Sequence, residues 1–144
     1  MKKAFTMMEL IFVIVVIGIL AAVALPRLFT GVSDAKLAKA KTQIATIRSG
    51  IASLYSKNIL AGDSDKCPYL EASKNDGKVF EKVVQGGIPE NQNDVKWVLD
   101  NNSTTEINYT LKIDNLEGNF TYELNASLGC PFQCVNGALC NKLQ

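Results

Sequence analysis

The 144-residue chain predicts an α+β fold, a long N-terminal helix packed on a small antiparallel sheet, with a membrane-spanning first half to the helix. Three observations predict it. Residues 5–25 are apolar at 18 of 21 positions and carry one charge, Glu9, whereas residues 26–144 are about 40% apolar and hold 26 charges. Leu37, Ala40, Ile44, Ile47, Ile51 and Leu54 then recur at gaps of three and four, which is one face of a helix. Ile107, Tyr109, Leu111 and Ile113 alternate with polar residues, and Phe120, Tyr122, Leu124 and Ala126 do so again. Two such runs around a short turn make an antiparallel hairpin with one apolar face.

The apolar front comes first. Leu10 to Leu25 has no charge, and at ~1.5 Å per residue it spans about 24 Å, short of a hydrocarbon core of ~30 Å. Reaching that length requires Phe5 to Met8 and therefore Glu9. Three readings compete. A cleaved secretory signal would use Lys2 and Lys3 as its charged start and Ala22-Val23-Ala24 as its cleavage site, but Glu9 interrupts its apolar core and Pro26 follows the cut. A plain signal anchor would hold Glu9 by accident, at roughly 2.5–3.5 kcal/mol on insertion scales. The third reading gives Glu9 a partner.

A short basic leader, then Ala4-Phe5-Thr6-Met7-Met8-Glu9, then a long apolar helix containing Pro26, resembles the type IV pilins and type II secretion pseudopilins. The likeness covers residues 1 to about 58. It implies cleavage by a prepilin peptidase between Ala4 and Phe5 and methylation of the new Phe5 amine. The family usually has Gly where this chain has Ala4. The mature Phe5 ammonium and the Glu9 carboxylate of a neighbouring subunit would then pair at only one axial stagger. Buried ion pairs are best attested as devices of register, so Glu9 is the expected assembly residue. The resemblance further implies self-association, association with other pilins, and a bacterial inner-membrane location with a cytoplasmic N-terminus and periplasmic head. Arg27, Lys36, Lys39 and Lys41 follow the apolar run, so a bare Lys/Arg count favours the opposite orientation. The peptidase motif and the cysteines require the family topology.

The expected parts are a leader over 1–4, a transmembrane and filament-core helix over 5–25, its continuation over 26–58, and a globular α+β head over 59–144. A helix from Phe5 to about Lys57 would be about 80 Å long. Gly18, Pro26 and Gly31 are its weak points, and Pro26 predicts a kink. Simple curvature is one outcome. The resemblance implies the other, that Gly18 to Pro26 unwinds when subunits pack.

The composition narrows the chemistry. There is no histidine, which removes Ser-His-Asp and Cys-His nucleophiles and His-ligated zinc. No catalytic constellation, cofactor motif or metal site is expected. A net charge of +1 lacks the basic excess of a dedicated nucleic-acid binder. Lys36, Lys39, Lys41 and Arg48 read as a solvated helix face, with no interleaved aromatics to stack bases. The function expected is a structural filament subunit, in a pilus or in a type II secretion or DNA-uptake pseudopilus. The alternative is a minor tip subunit binding DNA or a secreted substrate, which leaves nucleic acid undecided.

In the head, Gly62 to Pro68 reads as loop, and Asp63 and Asp65 lack the further ligands of a calcium loop. Lys78 to Gln85 reads as a short helix closed by Gly86-Gly87, Val95 to Leu99 as a strand, and Asn115 to Gly118 as the hairpin turn. Cys67, Cys130, Cys134 and Cys140 lack the paired spacing of a Cys₄ zinc site, and a translocated head favours two disulfides. Three connectivities are open; Cys67–Cys130 with Cys134–Cys140 is preferred, tying the loop to the hairpin and closing the tail. Asn101, Asn102, Asn108, Asn119 and Asn125 each begin Asn-x-Ser/Thr. Asn102, Asn108, Asn119 and Asn125 also have an acid two residues before, resembling the acceptor of bacterial N-glycosylation. Polar strand positions rich in Asn, Thr and Glu explain the pattern equally.

Overall fold

The computed structural model describes residues 5–63, 67–72, 76–125 and 129–143, without the side chains of residues 27–30. Helix α1 runs Met7–Leu60. Two compact units divide the chain, one ending at Ala35 and one beginning at Lys36; each is described by itself.

In the first unit, Thr6 caps α1. The Glu9 N–H donates to the Thr6 hydroxyl at 3.3 Å and to its carbonyl at 3.1 Å, satisfying a donor that the first helical turn leaves without a partner. Met7–Pro26 has a mean hydropathy of 2.9, with none of it buried, so among the described residues one helix is long and apolar enough to cross a membrane. The helix continues through Gly18 and Pro26.

In the second unit, the rest of α1 lies on a sheet. Ala40, Ile44, Ile47 and Ile51 enter the core and Leu37 packs at its margin, as the three-four spacing predicts. The helix passes the expected end near Lys57 and closes at Gly62, whose φ is 84°. The Asp63 N–H donates to the Asn58 carbonyl at 2.9 Å and the Gly62 N–H to that of Ile59 at 3.0 Å, the paired bonds of a Schellman cap.

The four-stranded sheet is an antiparallel meander in chain order: β3 (Lys96–Asn102), β4 (Glu106–Ile113), β5 (Leu116–Glu123) and β6 (Phe132–Asn136). A two-stranded ladder, β1 (Lys78–Val79) with β2 (Ile88–Pro89), precedes it, and α2 (Cys140–Leu143) follows. Ile107, Tyr109, Leu111, Ile113, Phe120, Tyr122 and Leu124 are buried as the alternation predicts; Ala126 lies outside the described residues. Phe80, Trp97, Tyr109, Phe120 and Phe132 form an aromatic core, with Phe80 and Tyr109 at 4.4 Å between ring centres. Trp97 is fully buried and donates its indole N–H to Gln43 of α1 at 2.9 Å.

Two expectations for the head are corrected. No helix spans Lys78 to Gln85. Val79 and Phe80 are drawn fully into the core, and Phe80 takes a left-handed φ of 62°. A single turn follows, with the Val84 N–H on the Phe80 carbonyl at 2.8 Å. The hairpin turn is Asp114-Asn115, not Asn115 to Gly118: Ile113 pairs with Leu116, and Asp114 supplies the positive φ of 53°. Gly118 is a buried strand residue whose Cβ would stand 3.0 Å from that of Leu139. The tail supplies the fourth strand of the sheet. Phe132 and Cys134 pair with Tyr122 and Phe120, putting Phe132 on the apolar face.

Candidate functional site

The residues that stand out for function fall into the N-terminal segment and the head. In the first, Phe5 is 78% exposed and Glu9 is exposed. Glu9 is the one charge between Met7 and Pro26, and among the described residues it forms no ion pair. Ala4 lies outside them. Glu9 is therefore a carboxylate on the first turn of an apolar helix, with its backbone held by Thr6. Such a group can accept a proton or an opposite charge, and in an apolar medium an unpaired carboxylate is costly.

Lys36, Lys39 and Arg48 of α1 are anchors rather than part of a purely solvated face. The Lys36 ammonium pairs with Asp114. Lys39 reaches Asp94 at 2.7 Å and Gln92 at 2.8 Å, and this hydrogen bond, with that of the Val95 N–H, holds the Asp94 carboxyl below its usual range. Arg48 donates from Nε to the Phe132 carbonyl at 3.2 Å. Of Lys36, Lys39, Lys41 and Arg48, three thus tie α1 to the turn after β4, the loop before β3, and β6. The two carboxylates and the carbonyl that receive them lie 50 or more residues away in sequence, so no local pattern marks them.

Cys67 and Cys130 stand at disulfide distance with their Cα atoms 5.5 Å apart, and so do Cys134 and Cys140. The first pair bridges 63 residues and fastens the segment after α1 to the approach to β6. The Cys67 N–H also donates to the Leu124 carbonyl at 3.0 Å. The second pair joins β6 to α2. Beside it a cleft of about 280 Å³ is lined by Ile44, Arg48, Phe120, Gln133 and Leu143, just under the ~300 Å³ at which ligand pockets usually begin. Among the described residues no cluster of three or more acids or cysteines could hold a metal. Asp63 is exposed and Asp65 lies outside them.

One buried ionisable group escaped the sequence reading. Glu71, only 9% exposed, accepts from the Tyr109 hydroxyl at 2.7 Å and from the Phe80 N–H at 3.1 Å on each oxygen. Burial raises its pKa, against the lowering effect of those hydrogen bonds. Burial and the adjacent Glu71 push Tyr109 far up as well. The trio locks the segment before β1 onto the sheet and holds Phe80 in its left-handed conformation. A lone Glu between Leu70 and Ala72 carries no sign of this.

The sequon asparagines occupy the sheet's ends and its outward face. Asn108 faces Thr121, and Thr110 faces Asn119. Asn119 and Asn125 are exposed, and Asn102 and Asn108 are half-buried. No protein-family model, no curated protein and no solved structure matches the chain.

Proposed function

We propose that this protein is a structural subunit of a type IV pilin-like or pseudopilin filament, held in a membrane by the first half of α1 before assembly. The observation that carries the reading is the pairing of one apolar, exposed helix bearing a single carboxylate, Glu9, with a head whose own core is closed. A surface of this kind, with a mean hydropathy of 2.9 over Met7–Pro26, needs either lipid or copies of itself as its surroundings.

Cleavage between Ala4 and Phe5 would place a free ammonium four residues before Glu9. Pairing each Glu9 with the next subunit's Phe5 ammonium neutralises both and fixes the axial stagger, while the remaining apolar side chains are indifferent to register. The prepilin peptidase, with its methyltransferase activity, is the expected processing partner, the bacterial inner membrane the expected location, and the periplasm the expected compartment of the head. There the cysteine pairs would be kept oxidised.

The deciding measurement is the N-terminus of the mature protein. A methylated Phe5 is expected; a chain beginning at Leu25 returns the front to a secretory signal and removes the proposal. A second measurement tests the role of Glu9. Glu9→Val should insert in the membrane and still fail to enter filaments, and filaments assembled at the wild-type level would exclude the register mechanism.

A further inference from the structure

Five Asn-x-Ser/Thr sequences fall within 27 residues, and the fold separates them by what their side chains already do. Asn108-Tyr109-Thr110 on β4 and Asn119-Phe120-Thr121 on β5 are interlocked. The register sets Asn108 against Thr121 and Thr110 against Asn119. Thr121 donates its hydroxyl to the Asn108 amide oxygen at 3.2 Å, while the Thr110 hydroxyl gives its proton to the Asp100 carboxylate at 2.5 Å and lies 3.2 Å from the Asn119 amide. Each threonine thus touches the asparagine of the other sequence, and Thr110 is held by Asp100 as well. This cross-strand box accounts for all four residues as sheet chemistry, and a fully paired strand is not presented to a modifying enzyme.

The sequence Asn101-Asn102-Ser103-Thr104 is different. It holds two overlapping acceptor patterns where β3, an outer strand of the four, ends and turns toward β4. Neither asparagine side chain makes a hydrogen bond among the described residues. No buried side-chain nitrogen or oxygen there lacks a partner, so the unpartnered Asn102 amide is open to water. The two hydroxyls also differ. Ser103, which serves Asn101, lies 3.4 Å from the Thr105 hydroxyl, and its N–H donates to the Glu106 carbonyl at 3.2 Å. Thr104, which serves Asn102, is exposed and makes no side-chain hydrogen bond.

We propose that Asn102 is an N-glycan acceptor and that Asn108 and Asn119 are sheet residues carrying no glycan. The donor is a polyprenyl-pyrophosphate-linked oligosaccharide, used by an oligosaccharyltransferase on the side of the membrane where the head resides. The Asn102 Nδ2 attacks the anomeric carbon, forming the N–C bond. The bond from that carbon to the pyrophosphate oxygen breaks, the polyprenyl pyrophosphate leaves with the electron pair, and Nδ2 loses one proton. Asn102 pairs with the buried Ile107, so its side chain lies on the core-side face at the very end of the sheet, half-buried and with its amide open to water. Asn125 is exposed, but its pattern continues into residues outside those described, and it takes no part in the proposal. Nothing in it depends on filament assembly.

The test uses full-length protein recovered from the cells that make it. Cutting at lysine and then after Glu106 separates a peptide over 97–106 from one over 107–112. Mass spectrometry should find glycan mass on the first and none on the second. Asn102→Gln and Thr104→Ala should each abolish it, and Asn101→Gln should keep it; none of the three substitutions removes a side-chain hydrogen bond of the fold. An unmodified 97–106 peptide, a glycan that survives Thr104→Ala, or a glycan on 107–112 would overturn the proposal.

Discussion

Gly50 of α1 lies directly against the backbone of Val83: a Cβ built on Gly50 would fall 2.1 Å from the Val83 carbonyl oxygen. That distance makes the glycine the contact point between α1 and the turn after β1. Alanine at this position gains about 1 kcal/mol of helix propensity but must push two backbones apart. We expect Gly50→Ala to destabilise the protein by about 1–3 kcal/mol net, read by urea unfolding of the detergent-solubilised chain. A stabilised variant would show that the turn yields freely.

Glu71 makes stability depend on pH in a defined direction. Burial raises its pKa above the ordinary 4.5, so the folded chain holds this proton more tightly than the unfolded one. Its favourable contribution is complete below 4.5 and is lost as pH rises through the folded-state value. Glu71→Gln cannot ionise and should remove that component. The wild-type urea midpoint should therefore fall relative to the variant's as pH is raised from 4 to 8. A difference constant across that range would contradict the assignment.

The two cysteine pairs should contribute unequally. In the chain-entropy model, a bridge across 63 residues is worth about 4 kcal/mol and one across 6 residues about 2 kcal/mol. Replacing Cys67 and Cys130 together by Ser should lower stability more than replacing Cys134 and Cys140, measured by thermal unfolding without reductant. The reverse order would mean that the C-terminal pair supports β6 and α2 more strongly than loop closure predicts.

The interlocked sequences on β4 and β5 predict a coupling. Thr121→Val leaves the Asn108 amide oxygen without its donor and should cost about 1 kcal/mol. In a double-mutant cycle, Asn108→Ala and Thr121→Val should be non-additive by several tenths of a kcal/mol or more. Strict additivity would show that the hydrogen bond contributes nothing to the sheet.

Local pattern determined much of this molecule. The apolar run, its single carboxylate, the three-four stripe to Ile51 and the alternation of β4 and β5 are periodic signals, and periodicity reports directly which face a residue presents. What pattern could not supply were the partners. Lys78 to Gln85 has the composition of a short helix, yet burial of Val79 and Phe80 and the Glu71 carboxylate on the Phe80 N–H outweigh local propensity. Gly118 looks like a turn residue and is instead a strand position without room for a Cβ beside Leu139. Lys36, Lys39 and Arg48 look like a solvated face until the sheet brings Asp114, Asp94 and the Phe132 carbonyl to them. In each case the deciding energy comes from a group distant in sequence, which only the tertiary structure sets in place.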